Sequence, residues 1–430
     1  MLFVERSQTV TRTSFLDRVM ALLVCMTIAI AVLYPQSFFS PDSLLGNKWL
    51  DPLAAMVAPL ALAGAVCLKV RRKYFRASVV DALVLVFAAY LVAQNVILGP
   101  TTLVTLKYVA LGLGIYYLTT LLAVKGEPLR KPLLYTVIGL TLLTCAYGLL
   151  EYALQKNVIF AALISQSVPE PLHGVHRIGS TLAHPVPFGA FLLQVAPFSG
   201  MLLVISRRWW KRLLALLTMS LAVLALFLSY SKGSWMVGGI LVAGALLLIP
   251  RARSRKAAFP ATIMLVIVII ALAAFWATVT REIDYRSYSS IEGREIAWRA
   301  AFAGIEQHPL GVGLFQGSPE MQNQLEPVWR AAWGRMLAVD NYYLDLPLEA
   351  GIAGFIIWIV MMIMIFREGI SVARIRGPSR PWALMALVGI TAICLNAFTV
   401  DAFLQWPNYL IFWMTAGILH GIAWSNNTSC

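Results

Sequence analysis

The chain of 430 residues is 60% hydrophobic and only 13% charged, with a mean hydropathy of +0.77. Soluble domains carry about 25% charged residues, so this balance excludes an ordinary soluble protein. The net charge of +14 would suit a nucleic-acid binder, but most of the 34 lysines and arginines lie in short loops between apolar runs. In such loops they set membrane orientation. The composition therefore predicts an integral membrane protein that binds the lipid bilayer and no nucleic acid.

A membrane-spanning helix needs about 20 mostly apolar residues. Runs of this kind predict an all-α polytopic protein of about twelve spanning helices, near residues 19–34, 51–68, 79–98, 102–124, 133–154, 186–205, 213–229, 233–250, 258–279, 344–366, 382–400 and 406–424. No A-x-A cleavage motif follows the first run, so it is counted as the first spanning helix rather than as a removed signal.

The loops between these runs alternate in charge. The basic set lies at Arg6 to Arg18, 69–76, 125–131, 207–212, 251–256 and 367–380. The positive-inside rule places this side, with both termini, in the cytoplasm. The opposite, external side carries one large loop, 280–343, between helices nine and ten. The chain thus divides into 1–279 with helices one to nine, the loop 280–343, and 344–430 with helices ten to twelve.

The large external loop carries its own helical pattern. Ile291, Trp298, Phe302 and Ile305 recur at helical spacing and predict a helix over 291–307 that ends at His308-Pro309. A second amphipathic stretch is predicted over 319–333. Tryptophans at the edge of an apolar face favour a position at the membrane surface. The alternative is that the two stretches pack only on each other.

Arginines on the external side run against the usual charge sorting and need a reason. Arg281, Arg286, Arg330 and Arg335 have acidic neighbours in the sequence, and a solvated surface is the simpler interpretation for them. Arg177, Lys232 and Arg294 instead lie where apolar helices begin or at membrane depth, where charge is costly and usually functional. Fixed cations at this position suit a diphosphate. For Lys232, snorkelling to the surface is the alternative.

Asp340 stands where the external loop returns to the membrane and is the best-placed candidate for a catalytic base. The alternative is that it caps the tenth helix, because Asp before an apolar helix is a strong start signal. His176 lies beside Arg177 and is a candidate phosphate ligand, whereas His308 before Pro309 is also suited to shaping a turn. No Cys/His spacing typical of a metal or redox site is present, and no nucleotide-binding or hydrolase motif is found.

Four motifs, in order and on the external side, carry a resemblance to a known family. They are RIGSTLAHPVPFGAFL, SYSKGSWM, GREIAWRAAFAGIEQHPLGVGL and DNYYLDLPLEAGIAGF, and they span roughly residues 177–354. Together with about twelve helices and one large loop between helices nine and ten, they resemble the bacterial O-antigen ligase and Wzy-type polysaccharide polymerase superfamily. The first five helices resemble the family only in hydropathy.

This resemblance implies an inverting, metal-independent glycosyltransferase without a cofactor, in the bacterial inner membrane with a periplasmic site. The donor would be an undecaprenyl-diphosphate-linked glycan, and the acceptor a glycan or lipid A-core, with a chain-length regulator as a further candidate partner. Arg177 and Arg294 match arginines that hold the donor diphosphate in the family, and Lys232 stands where the family commonly has Arg. The expected substrate-binding set also includes His176, Arg299, His308 and Asn341.

The motif at Asp340 bears on which reaction is carried out. O-antigen ligases typically show His-Asn before a Tyr-Leu pair, with that His as the proposed base, whereas this chain has Asp340-Asn341. The Asp form is similar to exopolysaccharide polymerases, so polymerisation of repeat units is the first expectation and O-antigen ligation the alternative. A lipid-linked glycan transporter or flippase would show related halves, which are not seen here. A structural or sensory subunit would tolerate replacement of the external arginines.

Overall fold

The computed structural model describes residues 14–33, 52–70, 78–98, 102–158, 176–182, 184–248, 287–314, 339–375 and 377–427. Within these residues the regular structure is entirely helical. The helices are α1 (Phe15–Leu33), α2 (Pro52–Val70), α3 (Val79–Leu98), α4 (Thr102–Val124), α5 (Glu127–Leu154), α6 (Pro185–Ile205), α7 (Trp209–Leu228), α8 (Lys232–Leu248), α9 (Ser287–Gln307), α10 (Tyr342–Arg374), α11 (Arg380–Asn396) and α12 (Trp406–Asn427), with a short 3-10 turn at Ser180–Leu182. The predicted all-α class is confirmed.

Seven of these helices are long and apolar enough to cross a membrane, namely α1, α3, α4, α5, α6, α7 and α10. The predicted spanning helix 258–279 and the amphipathic stretch 319–333 lie outside the described residues. The count of about twelve membrane crossings therefore stays a prediction, as does the three-part division of the chain.

Contacts between loops agree with the predicted alternation of the helices. The Lys125 Nζ atom lies 3.4 Å from Asp17 Oδ2 at the start of α1. Arg130 Nη1 donates to Ser379 Oγ at 3.4 Å, which joins the start of α5 to the start of α11. These contacts place the start of α1, the segment 125–130 and the start of α11 at one end of the bundle, here called the basic end. The opposite end, which carries Arg177, Lys232 and Asp340, is called the site end.

The centre of the bundle is the close pairing of α4 with α12, which small residues make possible. A Cβ atom on Gly417 would lie 2.0 Å from Thr119 Oγ1, and one on Gly421 would lie 2.4 Å from the Thr120 carbonyl oxygen. Glycine at these positions lets the two backbones approach each other, as is common between helices in membranes.

The tenth helix is longer than the predicted 344–366 and is broken. Gly351 has φ 72° and ψ 171° inside α10, which separates a first half, 342–350, from a second half, 352–374. The positive φ is one that glycine adopts without steric cost. The backbone of 309–313 lies against the break: Val312 N donates to the Leu348 carbonyl at 3.1 Å and Gly313 N to the Glu349 carbonyl at 2.9 Å. These bonds satisfy carbonyl groups that the break removes from the helix.

The predicted loop helix is present as α9, which ends at Gln307 immediately before His308-Pro309. Its apolar side packs on the first half of α10, because Ala301 forms a buried cluster with Val339 and Leu348. Phe302, part of the same predicted stripe, is instead exposed. The contact with α10 was not expected from the sequence, and it places α9 beside Asp340.

Candidate functional site

The segment 176–182 is fixed on three sides, and it carries Arg177. Ile178 N donates to the Leu228 carbonyl of α7 at 3.2 Å. Ser180 N donates to Glu151 Oε2 of α5 at 2.7 Å, and Thr181 Oγ1 donates to the Val32 carbonyl of α1 at 2.6 Å. A non-helical segment at this depth satisfies its backbone groups through such neighbours. The position of Arg177 is therefore set by α1, α5 and α7 together.

The Arg177 guanidinium is oriented without being neutralised. Its Nε donates to the Ser229 carbonyl at 3.2 Å and its Nη2 to the Tyr230 carbonyl at 3.3 Å. Burial and then the like charge of Arg294 lower the pKa of Arg177 to about 10. Both causes disfavour the cation, yet a pKa of about 10 keeps it charged at neutral pH. The result is a half-buried positive charge held by neutral oxygens.

Lys232 follows the turn that holds Arg177 and begins α8. Its side chain is exposed. The start of α8 is fixed because Ser234 Oγ donates to Asn396 Oδ1 at 2.9 Å, and a Cβ on Gly233 would lie 2.5 Å from Thr399 Oγ1. The first turn of a helix favours negative charge through its free N–H groups. Lys232 therefore adds an exposed cation two residues after Tyr230, whose carbonyl holds Arg177.

Arg294 and Asp340 meet between α9 and the start of α10. Arg294 Nη2 lies 4.0 Å from Asp340 Oδ2, and the two side chains are 36% and 42% exposed. Trp298, one turn along α9, donates from Nε1 to the Val339 carbonyl at 3.1 Å. This bond fixes α9 against the residue that precedes Asp340. The pair is loose and only partly buried, so a ligand can reach both groups.

The predicted capping role of Asp340 is wrong. The N-cap of α10 is Asn341, whose Oδ1 accepts from Tyr343 N at 3.1 Å. Asp340 precedes the cap and has φ 49°, in the left-handed region that Asp and Asn tolerate best among non-glycine residues. Burial raises the pKa of the Asp340 carboxyl, and the charge of Arg294 opposes that rise. A raised pKa makes a carboxylate a better proton acceptor.

Asp401 belongs to the same neighbourhood and was not predicted. Its carboxylate accepts the backbone N–H of Asn341, and burial, followed by the charges of Asp345 and Asp340, raises its pKa well above the usual range. Its Oδ1 is buried and has no hydrogen-bond partner among the described residues. The sequence did hold one signal, because Asp401 is the only acidic residue between the last two apolar runs.

The remaining predicted site residues are placed elsewhere or have structural contacts. His176 is 6% exposed, with Nε2 3.3 Å from Glu151 Oε1. Arg299 is 79% exposed and pairs with Glu295 one turn before it. The His308 carbonyl accepts from Gly311 N at 2.8 Å and so forms the turn after α9. Asn341 is buried as the cap of α10. The structure thus brings Arg177, Arg294 and Asp340 together, and Lys232 lies two residues after Tyr230, whose carbonyl accepts from Arg177.

Two neighbouring arginine side chains repel each other, and an anion bound between them removes that repulsion. The repulsion between Arg177 and Arg294 lowers the pKa of Arg177, and Asp340, 4.0 Å from Arg294, offsets that repulsion weakly. Guanidinium groups match phosphate oxygens well. The geometry therefore suits binding of a polyvalent anion such as a diphosphate, with a carboxylate beside it.

A family model matches the part of the chain that carries most of these residues. Residues 214–359, about a third of the chain, match the family model described as O-antigen ligase. The matched stretch begins in α7, ends in α10 and includes Lys232, Arg294 and Asp340, and it confirms the resemblance that the motifs carry. Arg177 lies before it. No curated protein matches the chain. The family match supports a membrane-embedded protein with a role in glycosyl transfer.

Proposed function

We propose that this protein is an inner-membrane glycosyltransferase that polymerises polysaccharide repeat units carried on undecaprenyl diphosphate at the periplasmic face. The observation that carries the proposal is the convergence of Arg177, Arg294 and Asp340, with a carboxylate 4.0 Å from a guanidinium and free of any capping duty. O-antigen ligation to lipid A-core is the second candidate, supported by the description of the matching family.

In the proposed reaction a hydroxyl of the acceptor glycan attacks the anomeric carbon of the donor sugar. The new glycosidic C–O bond forms as the C–O bond to the diphosphate breaks, with inversion at that carbon. The hydroxyl proton passes to the Asp340 carboxylate, and undecaprenyl diphosphate leaves with the bonding electrons. Asp340 is suited to this step because its raised pKa strengthens it as a base.

The cations act on the leaving group. Negative charge grows on the diphosphate as the bond breaks, and Arg177 and Arg294 are already in place to stabilise it. Charge fixed in advance needs no reorganisation during the reaction, and this is usually the largest catalytic contribution. The proposal assigns the countercharge to these side chains and Lys232, and requires neither a metal nor a cofactor.

The proposed orientation, with both termini cytoplasmic and the site periplasmic, rests on the positive-inside rule. It predicts that a cysteine at the exposed Ala303 of α9 reacts with an impermeant maleimide in intact cells, whereas one at Lys131, at the basic end, does not. Labelling of K131C from outside would reverse the orientation.

A broken membrane helix also occurs in transporters, so the break at Gly351 is relevant to the flippase alternative. In transporters such breaks line a cavity, whereas here the freed carbonyls are bonded to the backbone of 309–313. This arrangement favours a fixed scaffold over a moving gate, and it supports the transferase proposal.

The test uses a deletion strain complemented with variants at matched protein level. Loss of polymer with a single repeat unit retained indicates a polymerase, whereas full-length polymer left on undecaprenyl diphosphate indicates a ligase. Arg177→Ala and Arg294→Ala are each expected to lower the transfer rate by about 100-fold to 1,000-fold, by analogy with loss of one donor to a developing oxyanion. Lys232→Arg keeps the charge and is expected to retain activity.

Arg299→Ala provides the matched comparison, because it removes an arginine from the same helix that is 79% exposed and paired with Glu295. Its rate is expected to stay within about threefold of wild type, since exposed ion pairs contribute little. Normal polymer from both the Arg177 and the Arg294 variants would exclude this site as the diphosphate site.

A further inference from the structure

The site end of α3 carries a polar face inside an otherwise apolar helix. Tyr90, Gln94 and Asn95 lie in its last turns, and the side chains of Gln94 and Asn95 are buried at 6% and 0% exposure. Polar side chains at membrane depth are costly unless they are paired, and they usually serve function. This face lies outside the stretch that matches the family model. Its partners therefore indicate what it does.

One set of partners is the turn that follows α9. Gln94 Nε2 donates to the Leu310 carbonyl at 2.7 Å, and Asn95 Oδ1 accepts from Leu314 N at 3.1 Å. Both are side chain to backbone bonds between parts of the chain more than 200 residues apart. They fix the end of the loop helix to α3 whatever side chains the loop presents.

The other set of partners is the break in α10. The same Gln94 Nε2 donates to the Glu349 carbonyl at 2.8 Å, and Tyr90 Oη donates to the Ala350 carbonyl at 2.8 Å. Between these bonds Gly311 and Gly351 are in direct contact, because a Cβ on Gly311 would lie 2.4 Å from Gly351 N. One glutamine amide thus bridges the turn after α9 and the first half of α10.

The Gln94 bridge joins the end of α9 to the end of the first half of α10, and each of these two segments is here called an arm. Arg294 and Asp340 lie towards the opposite ends of the two arms. Arg294 lies 13 residues before the end of α9, an arm of about 20 Å at 1.5 Å per residue. Asp340 lies just before the first half of α10, at the end of a shorter arm. A rotation of about 3° at the bridge moves the end of a 20 Å arm by about 1 Å. Displacements of this size matter for catalysis.

We infer that Tyr90, Gln94 and Asn95 of α3 are positioning residues that fix α9 to the first half of α10 and thereby set the spacing of Arg294 and Asp340. The inference rests on the proposed function for its effect on the reaction. The Trp298 bond to Val339 holds the two arms at a second point, so loss of the bridge loosens the site rather than dismantling it.

Gln94→Met is the deciding variant, because methionine keeps the length of the side chain and removes the amide donor. Its matched control is Gln194→Met. Gln194 is also fully buried, its Nε2 donates to the Asn408 carbonyl at 3.0 Å, and its Oε1 also lacks a partner among the described residues. Both variants lose a buried glutamine and its amide donor to a backbone carbonyl, but only the first loses the bridge between α9 and α10.

Transfer kinetics are measured on both variants in proteoliposomes with lipid-linked donor. Gln94→Met is expected to lower kcat by at least about tenfold, with KM within about twofold, since misplacement by about 1 Å can cost up to about 100-fold. Gln194→Met is expected to keep kcat within about twofold. An unchanged kcat in Gln94→Met, or an equal loss in Gln194→Met, overturns the inference.

A distance measurement tests the bridge without using activity. Spin labels are placed at Ala303 of α9 and Ile363 of α10, both exposed, on a background without the native cysteines. The distance distribution is expected to broaden in Gln94→Met and to stay at the wild-type width in Gln194→Met. Equal widths in all three proteins overturn the inference. A wild-type protein that transfers no glycan overturns the proposed function instead, and the distances still decide whether α3 joins α9 to α10.

Discussion

The two ends of the bundle differ in how completely their buried charged side chains are paired. At the basic end, His420 Nε2 lies 3.2 Å from Asp81 Oδ2 and His420 Nδ1 lies 2.9 Å from Glu368 Oε2. Tyr116 Oη donates to Asp81 Oδ1 at 3.3 Å, and Ser78 Oγ donates to Asp81 Oδ2 at 3.0 Å. Each charged group of this cluster therefore has a partner of opposite type or a hydrogen-bond donor beside it.

At the site end the charges are not balanced by the residues that the structure describes. Arg177 and Arg294 repel each other, Asp340 lies 4.0 Å from Arg294, and one oxygen of Asp401 has no partner among the described residues. Buried charge that is fully paired holds helices together, whereas buried charge left incomplete costs stability unless a ligand completes it. The difference favours a structural role for the first cluster and supports the proposal that the second cluster binds a ligand.

The strongest way to break this comparison is to remove the imidazole ring that joins two carboxylates at the basic end. His420→Asn leaves Asp81 and Glu368 facing each other without the ring between them. Removing one partner from a buried ionic group costs about 3–5 kcal/mol, so the free energy of unfolding, measured by SDS titration in mixed micelles, is expected to fall by about that amount. The transfer rate per folded molecule is expected to stay normal. A lost rate in a folded H420N protein would make the basic cluster functional too.

The opposite result is expected for Asp340→Asn at the site end. Asn tolerates the left-handed φ of this position, and the helix cap is Asn341, so folding and insertion are expected to be normal. Loss of the proton acceptor is expected to lower the transfer rate at least about 100-fold, the low end of general-base contributions. The measurement is polymer yield at matched protein level. A near-normal yield would move the search for the base to Asp401 or Glu349.

The pH dependence of the transfer rate tests the assignment of Asp340 as the catalytic base. A carboxylate base works deprotonated, so kcat/KM is expected to fall as the pH drops through the raised pKa of Asp340, above the ordinary carboxyl value of about 4. Arg294 lowers that pKa, so Arg294→Gln is expected to move the acid limb to higher pH, whereas Arg294→Lys keeps the charge and the limb. Residual rates at several pH values in proteoliposomes measure the shift. A limb that moves to lower pH in R294Q would contradict the pairing.

Hydropathy and helical spacing were sufficient to predict most of the helices, since a long apolar run has few alternatives in a membrane. The loop helix followed from Trp298 and Ile305 and from the His308-Pro309 stop. Arg177, Arg294 and Asp340 could be selected because charge at membrane depth is rare and because their motifs resemble a family. These signals are local in sequence.

The features that the sequence did not predict all depend on distant contacts. Gly351 lies in an apolar run that is compatible with an unbroken helix, and the backbone of 309–313, together with Tyr90 and Gln94, supplies the bonds that make the break favourable. Gln94 gains its role from partners more than 200 residues away. His176 has the right residue type and neighbour for phosphate, but Glu151 lies 3.3 Å from it. No pattern in one sequence contains these pairings.

The smallest expected effect separates Asp340 from the residue next to it. Asn341 was predicted to bind substrate, but its Oδ1 caps α10 by accepting from Tyr343 N at 3.1 Å. Asn341→Ala removes that cap and is expected to lower the free energy of unfolding by about 1 kcal/mol, with the same SDS titration as the measurement. Its transfer rate per folded molecule should lie within about threefold of wild type, because the Asn341 N–H that Asp401 accepts belongs to the backbone and survives the change. The two neighbouring variants are then expected to have different defects. D340N folds but does not transfer glycan, whereas N341A transfers glycan but is less stable. A large loss of rate in N341A at normal stability would place the Asn341 amide against the substrate, as the sequence first suggested.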